Sequence, residues 1–178
     1  PMFDVVVIDD GSTDATADIA RAAGAPVLRL PFNVGIGGAV QAGYVYALEN
    51  DYDVAVQVDG DGQHDAACLP VLLDHLRTHP KLNMVTGSRF LADDGEGYRS
   101  SASRRLGIRI FGKLLSIVVG RPVTDPTSGL RMTDRSGIQL FARDYPHDYP
   151  EVEAVLLLHH LPHRPVHRDG IADGLHGA

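Results

Sequence analysis

The stretch "VQVDGDGQHD", Val56–Asp65, places two aspartates one residue apart directly after an apolar run, then a glutamine and a histidine. The run "DVAVQV" reads as a buried strand, so Asp59, Asp61 and Gln63 gather hard oxygen donors at its C-terminal end. Gly and Asp are also ordinary turn residues, so an isolated Asp-x-Asp carries little weight. A calcium loop of the EF-hand type is excluded. Counted from Asp59, the sixth position is His64 rather than glycine, and the twelfth is Pro70 rather than glutamate.

Outward from this stretch, strands and helices alternate. Phe3–Ile8 reads as a strand ending in Asp-Asp-Gly-Ser, Asp14–Ala23 as a short helix, and "PVLRL" as a second strand. A glycine-rich turn, "NVGIGG", feeds the next helix. Leu69–Leu76 reads as helical, "NMVTGS" as a strand, Ser100–Val119 as a long helix, and "DPTSGLRMTD" as a turn entering a short strand. Helices follow over Arg135–Ala142 and Glu151–Leu161. This order predicts an α/β fold, a mostly parallel sheet with helices on both faces. Ligands of such sheets sit beyond the C-terminal strand ends, where both "DDGST" and "DGDGQHD" fall.

The 178 residues fit a single domain spanning 1–178, with 162–178 as an atypical tail. Six of the nine histidines lie between His147 and His176, at spacings that match no zinc motif, so a solvated surface is expected there. A net charge of −7 argues against nucleic acid as a partner. Cys68 is the only cysteine, which excludes an internal disulfide and points to a reducing compartment. No apolar run reaches the roughly eighteen residues of a membrane span, and no signal-peptide pattern opens the chain. The dinucleotide fingerprint fails because Val40 stands where its third glycine is needed, and no P-loop Gly-Lys-Ser/Thr occurs.

Five segments in order, "VVVIDDGSTDAT", "NVGIGGAVQAG", "VQVDGDGQHD", "GSRF" and "DPTSGLR", resemble family 2 glycosyltransferases of the GT-A, Rossmann-like fold. The branch they resemble makes polyprenyl-phosphate sugars, as dolichyl-phosphate mannose synthase does. The likeness runs from about Phe3 to Leu158. It implies an inverting hexosyltransferase with a UDP- or GDP-linked sugar as donor and polyprenyl phosphate as acceptor. It implies Mg²⁺ or Mn²⁺ held by Asp61 and Gln63, with Asp59 beside the ribose or the metal, so that Asp59 and Asp61 carry the catalytic role. It also implies Asp10 on the nucleobase, with Asp9 and Ser12 completing the donor turn.

An acceptor phosphate is largely dianionic at neutral pH and needs no general base; it needs cations that hold it near a diphosphate. Arg89, Arg104, Arg105 and Arg131 are the candidates, with Ser128 and Asp125 shaping the loop. A sugar-hydroxyl acceptor is the alternative enzyme, and an inactive glycosyltransferase-like fragment is the alternative of another class. Along 100–119, Arg105, Arg109 and Lys113 form a basic stripe beside Leu106, Ile110 and Leu114. Such a helix suits either core packing or peripheral contact with the cytoplasmic face of a membrane. Relatives begin with one more strand, set in the sheet between Phe3–Ile8 and "VAVQV", so an N-terminal truncation and a missing first strand are expected. Relatives also carry a lysine in the "NVGIGG" turn, where Ile36 or Gly37 stands here.

Overall fold

The computed structural model describes residues 3–62, 65–80, 82–87, 113, 117 and 129–146. The expected elements within these ranges form, with trimmed ends. Strands are β1 (Val7–Asp9), β2 (Val27–Arg29), β3 (Val54–Gln57), β4 (Met84–Thr86) and β5 (Arg131–Asp134). Helices are α1 (Thr16–Ala22), α2 (Gly35–Glu49), α3 (Leu69–Thr78) and α4 (Arg135–Arg143). Lys113 and Ile117 are helical; the rest of the helix expected over 100–119, and the one over Glu151–Leu161, lie outside the described residues.

β1 pairs with β2 in parallel, and a second sheet has the order β3-β5-β4. β5 runs antiparallel to both of its neighbours, with Gln57 opposite Arg131 and Thr86 opposite the same arginine. β3 and β4 therefore point the same way, joined by a crossover through α3, and β5 fills the gap between them in reverse. Among the described strands β5 alone runs against its partners, while β1 and β2 are parallel and β3 and β4 share a direction, in keeping with the α/β fold expected from the element order.

Side-chain alternation divides the second sheet into two buried faces. Met132 points to α3 and packs with Leu73 and Leu76, with Val54, Val56 and Val85 at the margin. Thr133 lies on the opposite face, toward α4. There Ile138 and Phe141 of α4, Tyr145 just beyond it, and Tyr44 and Ala47 of α2 form the other core. Three rings interlock, Tyr44–Phe141 at 5.0 Å, Phe141–Tyr145 at 5.2 Å and Tyr44–Tyr145 at 5.6 Å between centroids. Tilted and edge-on contacts at these separations favour the opposed ring charges of the aromatic quadrupole.

α4 starts where it does because Asp134 accepts the Gly137 amide at 2.9 Å, an N-cap closing the helix onto the strand before it. A Cβ at Gly137 would collide with the Thr133 hydroxyl, which itself donates to the Asn83 carbonyl at 2.7 Å. β1 begins later than expected. Residues 3–6 turn away from the ladder: Phe3 packs toward the α3 cluster, and Asp4 accepts from the Tyr52 hydroxyl at 3.0 Å.

Candidate functional site

Two aspartate-rich turns leave the C-terminal ends of β1 and β3. In the first, Asp9 is the last residue of β1 and only 2% exposed. Its Oδ1 accepts the Ser12 amide at 2.9 Å, and its Oδ2 faces the Arg29 Nε at 3.3 Å. Arg29 also donates to the Ser12 carbonyl at 2.9 Å, tying the turn to β2. Hydrogen bonds from Ser12, with Arg29 assisting, hold the Asp9 carboxyl below the ordinary carboxylate range despite its burial. Asp9 and Ser12 thus build the turn.

Asp10 is partly exposed and caps α2. Its two oxygens accept the Val34 amide at 2.7 Å and the Gly35 amide at 3.0 Å. Val34 offers no side-chain cap of its own, so the helix borrows one from the preceding βα turn. Gly11 (φ +71°) fits beneath this junction because a Cβ there would stand 2.8 Å from the Asn33 nitrogen. A carboxylate offers about four lone-pair directions. Two amide bonds therefore anchor Asp10 while leaving acceptor capacity toward solvent.

In the second turn, Asp59 follows β3 by two residues, and Gln57 Nε2 donates to its Oδ1 at 3.0 Å. Asp61 is exposed in the next turn, and Gly62 (φ +73°) reverses the chain. Asp65 opens the helical turn that precedes α3, accepting the Ala67 amide at 2.8 Å. Among the described residues, no three His, Cys, Asp or Glu side chains converge as a ready cage for an ion. The carboxylates of Asp59 and Asp61 nevertheless fit a hard divalent ion of the Mg²⁺ or Mn²⁺ kind. Such ions take one or two carboxylates and complete their shell with water and substrate phosphate.

Arg131 sits in the central strand of the second sheet with 2% exposure, and its Nη1 reaches the Tyr145 hydroxyl at 3.5 Å. A residue expected on an acceptor phosphate is thus inside the sheet, across from Gln57. The side chains of Gln63, Arg89, Arg104, Arg105, Asp125 and Ser128 lie outside the described residues. Sequence reasoning missed Gln57, Arg29 and Gly129. A Cβ on Gly129 would overlap the Asp59 carboxylate. The polar residue inside the apolar "VAVQV" run was the one available signal for Gln57.

The family model of glycosyl transferase family 2 matches residues 1–141. An undecaprenyl-phosphate mannosyltransferase of Micrococcus luteus is 41% identical over 137 residues, covering 74% of this chain and 54% of its own length. A polyprenol monophosphomannose synthase of Mycolicibacterium smegmatis is 31% identical over 146 residues, covering 78% of this chain and 54% of its own length. The chain thus spans about half the length of these relatives. Among solved structures, glucosyl-3-phosphoglycerate synthase of Mycobacterium tuberculosis with Mn²⁺, UDP-glucose and phosphoglyceric acid superposes with a TM-score of 0.60. The two are 22% identical, over 86% of this chain and 51% of that one. The same enzyme with phosphoglyceric acid alone gives 0.62 at 22% identity, over 87% and 52%. These likenesses show the GT-A fold. With the residues matched and the mannosyltransferase identity, they establish that the chain belongs to glycosyl transferase family 2.

Proposed function

We propose that this chain is the donor-binding and catalytic part of an inverting hexosyltransferase. It would move a sugar from a nucleotide diphosphate to polyprenyl phosphate. The observation that carries the reading is the pair Asp59 and Asp61 at the end of β3, with Asp59 fixed by Gln57. Relatives that act on undecaprenyl and polyprenol phosphates support the acceptor class.

Asp59, Asp61 and Gln63 would hold the divalent ion. When bound, that ion offsets the charge that builds on the departing diphosphate. Asp10, anchored by the α2 amides, turns its remaining lone pairs toward a nucleobase N–H, and Asp9 with Ser12 keeps that turn in shape. Arg89, Arg104 and Arg105, with Ser128, would hold the acceptor phosphate through planar, permanently charged donors. That phosphate attacks the anomeric carbon with its own oxygen, so no side chain needs to remove a proton. Arg131, being buried, supports the site from within the sheet. No helix among the described residues is long and apolar enough to cross a membrane. The lipid acceptor would be met peripherally through 100–119 at the cytoplasmic face.

Thermal stability is measured with UDP, GDP or neither, each with and without Mn²⁺, and followed by transfer of labelled hexose to polyprenyl phosphate. Ligand at about a hundred times its dissociation constant adds roughly 2.7 kcal/mol. Stabilisation by one nucleotide, dependent on Mn²⁺ and lost in Asp61→Asn, is the expected result. Equal stability in all conditions would defeat the reading.

A further inference from the structure

The β3–β5 pairing ends at Gln57 and Arg131, and just beyond that end Asp59 and Gly129 meet. Val54 faces Asp134 and Gln57 faces Arg131, and the same register carried two residues further sets Asp59 opposite Gly129. Opposed residues of an antiparallel pair project from the same face of the sheet, as do residues two apart on one strand. Gln57, Asp59 and Arg131 therefore share one face, and at position 129 that face carries no side chain. The Asp59 carboxylate fills the vacancy, lying where a Cβ on Gly129 would be. Gln57 Nε2 holds its Oδ1 at 3.0 Å. The floor beneath is fixed as well. The Leu130 carbonyl accepts the Gly87 amide at 2.9 Å beyond β4, and Leu130 is 2% exposed.

We propose that Gly129 and Gln57 are positioning residues that form a seat for the Asp59 carboxylate. They would thereby set the affinity of the donor site for a nucleotide diphosphate with its divalent ion; this rests on the donor-site reading above. The glycine is required for room: an alanine methyl and the carboxylate cannot occupy the same place. The amide of Gln57 supplies direction by fixing Oδ1, while Oδ2 lies in the space left at Gly129, so the whole carboxylate is held in one orientation. A carboxylate that swings freely must be ordered again each time the ligand binds.

The test has two arms. In the first, urea unfolding without any ligand compares wild type, Gly129→Ala, Asp59→Ala and the double variant. The expected result is coupling: Gly129→Ala destabilises the wild type and is nearly silent where Asp59 is already alanine. Additive effects would overturn the seat. In the second, binding of UDP and of GDP, each with Mn²⁺, is measured by calorimetry for wild type, Gly129→Ala and Gln57→Met. Loss of a supporting partner typically weakens a metal site about 10- to 100-fold, and a drop of at least about tenfold is expected here. Gln57→Met keeps much of the side-chain volume and removes the amide that holds Asp59, so it decides the matter if Gly129→Ala fails to fold. Unchanged affinity in both variants would overturn the role. If wild type binds neither nucleotide, the donor-site reading falls, while the ligand-free cycle still decides whether the seat exists.

Discussion

Asp10 and Val34 are 24 residues apart in sequence, yet the Asp10 carboxylate accepts the Val34 amide at 2.7 Å. The turn after β1 and the start of α2 are thus one structural unit. A negative charge placed there satisfies orphan amides and meets the positive end of the helix dipole. The same residue can serve the fold and the nucleobase, because capping uses only part of its acceptor capacity.

Asp10→Ala is expected to cost roughly 0.5–2 kcal/mol, the usual range for a lost cap. Asp10→Asn should cost less, since one acceptor oxygen remains. Urea midpoints of the two variants check this, and equal midpoints for wild type and Asp10→Ala would rule the cap out as a stabilising contact.

Asp9 gives a pH dependence with a definite sign. Its folded-state value is depressed by Ser12 and Arg29, so its contribution to stability is complete above the unfolded value near 4 and is lost as pH falls through the folded value. Stability followed from pH 6 to pH 2.5 should fall less steeply in Asp9→Asn than in wild type below about pH 4. Parallel curves would mean the Asp9 contacts do not favour the charged form.

Phe141 is fully buried at the centre of the three-ring cluster. Phe141→Ala should cost about 3–5 kcal/mol through lost transfer energy and the cavity left behind. That is comparable to a large share of a typical domain's stability. Circular dichroism with denaturant titration would read it, and Phe141→Leu should recover most of the loss.

Tyr44 offers the opposite test. Its hydroxyl is buried with no hydrogen-bond partner among the described residues, and burial raises its pKa beyond the ordinary range. Tyr44→Phe is therefore expected to be neutral or to stabilise by about 1 kcal/mol. A clear destabilisation would reveal a partner for that hydroxyl.

Much of this architecture was legible in the sequence. Valine-rich runs bounded by Asp-Gly turns announced β1 and β3, and alternation with helices announced the fold class. The reversed direction of β5 was not legible, because "LRMTD" carries no mark of which neighbours it will join; that is decided by the gap left between β3 and β4. Arg131 illustrates the same limit. As a letter it suggested a phosphate ligand, and only its place in the central strand shows it buried opposite Gln57. The family resemblance implies Asp10 on a nucleobase, while its capping of α2 depends on how two turns meet. Nothing in "SGLR" tells which side chain will need the space at Gly129.

Asp59 and Gly129 lie seventy positions apart, 129 minus 59, yet they share one pocket of space. During synthesis the Asp-Gly-Asp-Gly turn therefore emerges long before the strand that completes it. Contacts of such wide sequence separation form late, after loop closure has been met by other interactions. The ability to bind a ligand at this turn should accordingly switch on only when β5 inserts between β3 and β4. A nascent chain arrested before that strand has emerged would carry both aspartates and still lack the contact that seats Asp59.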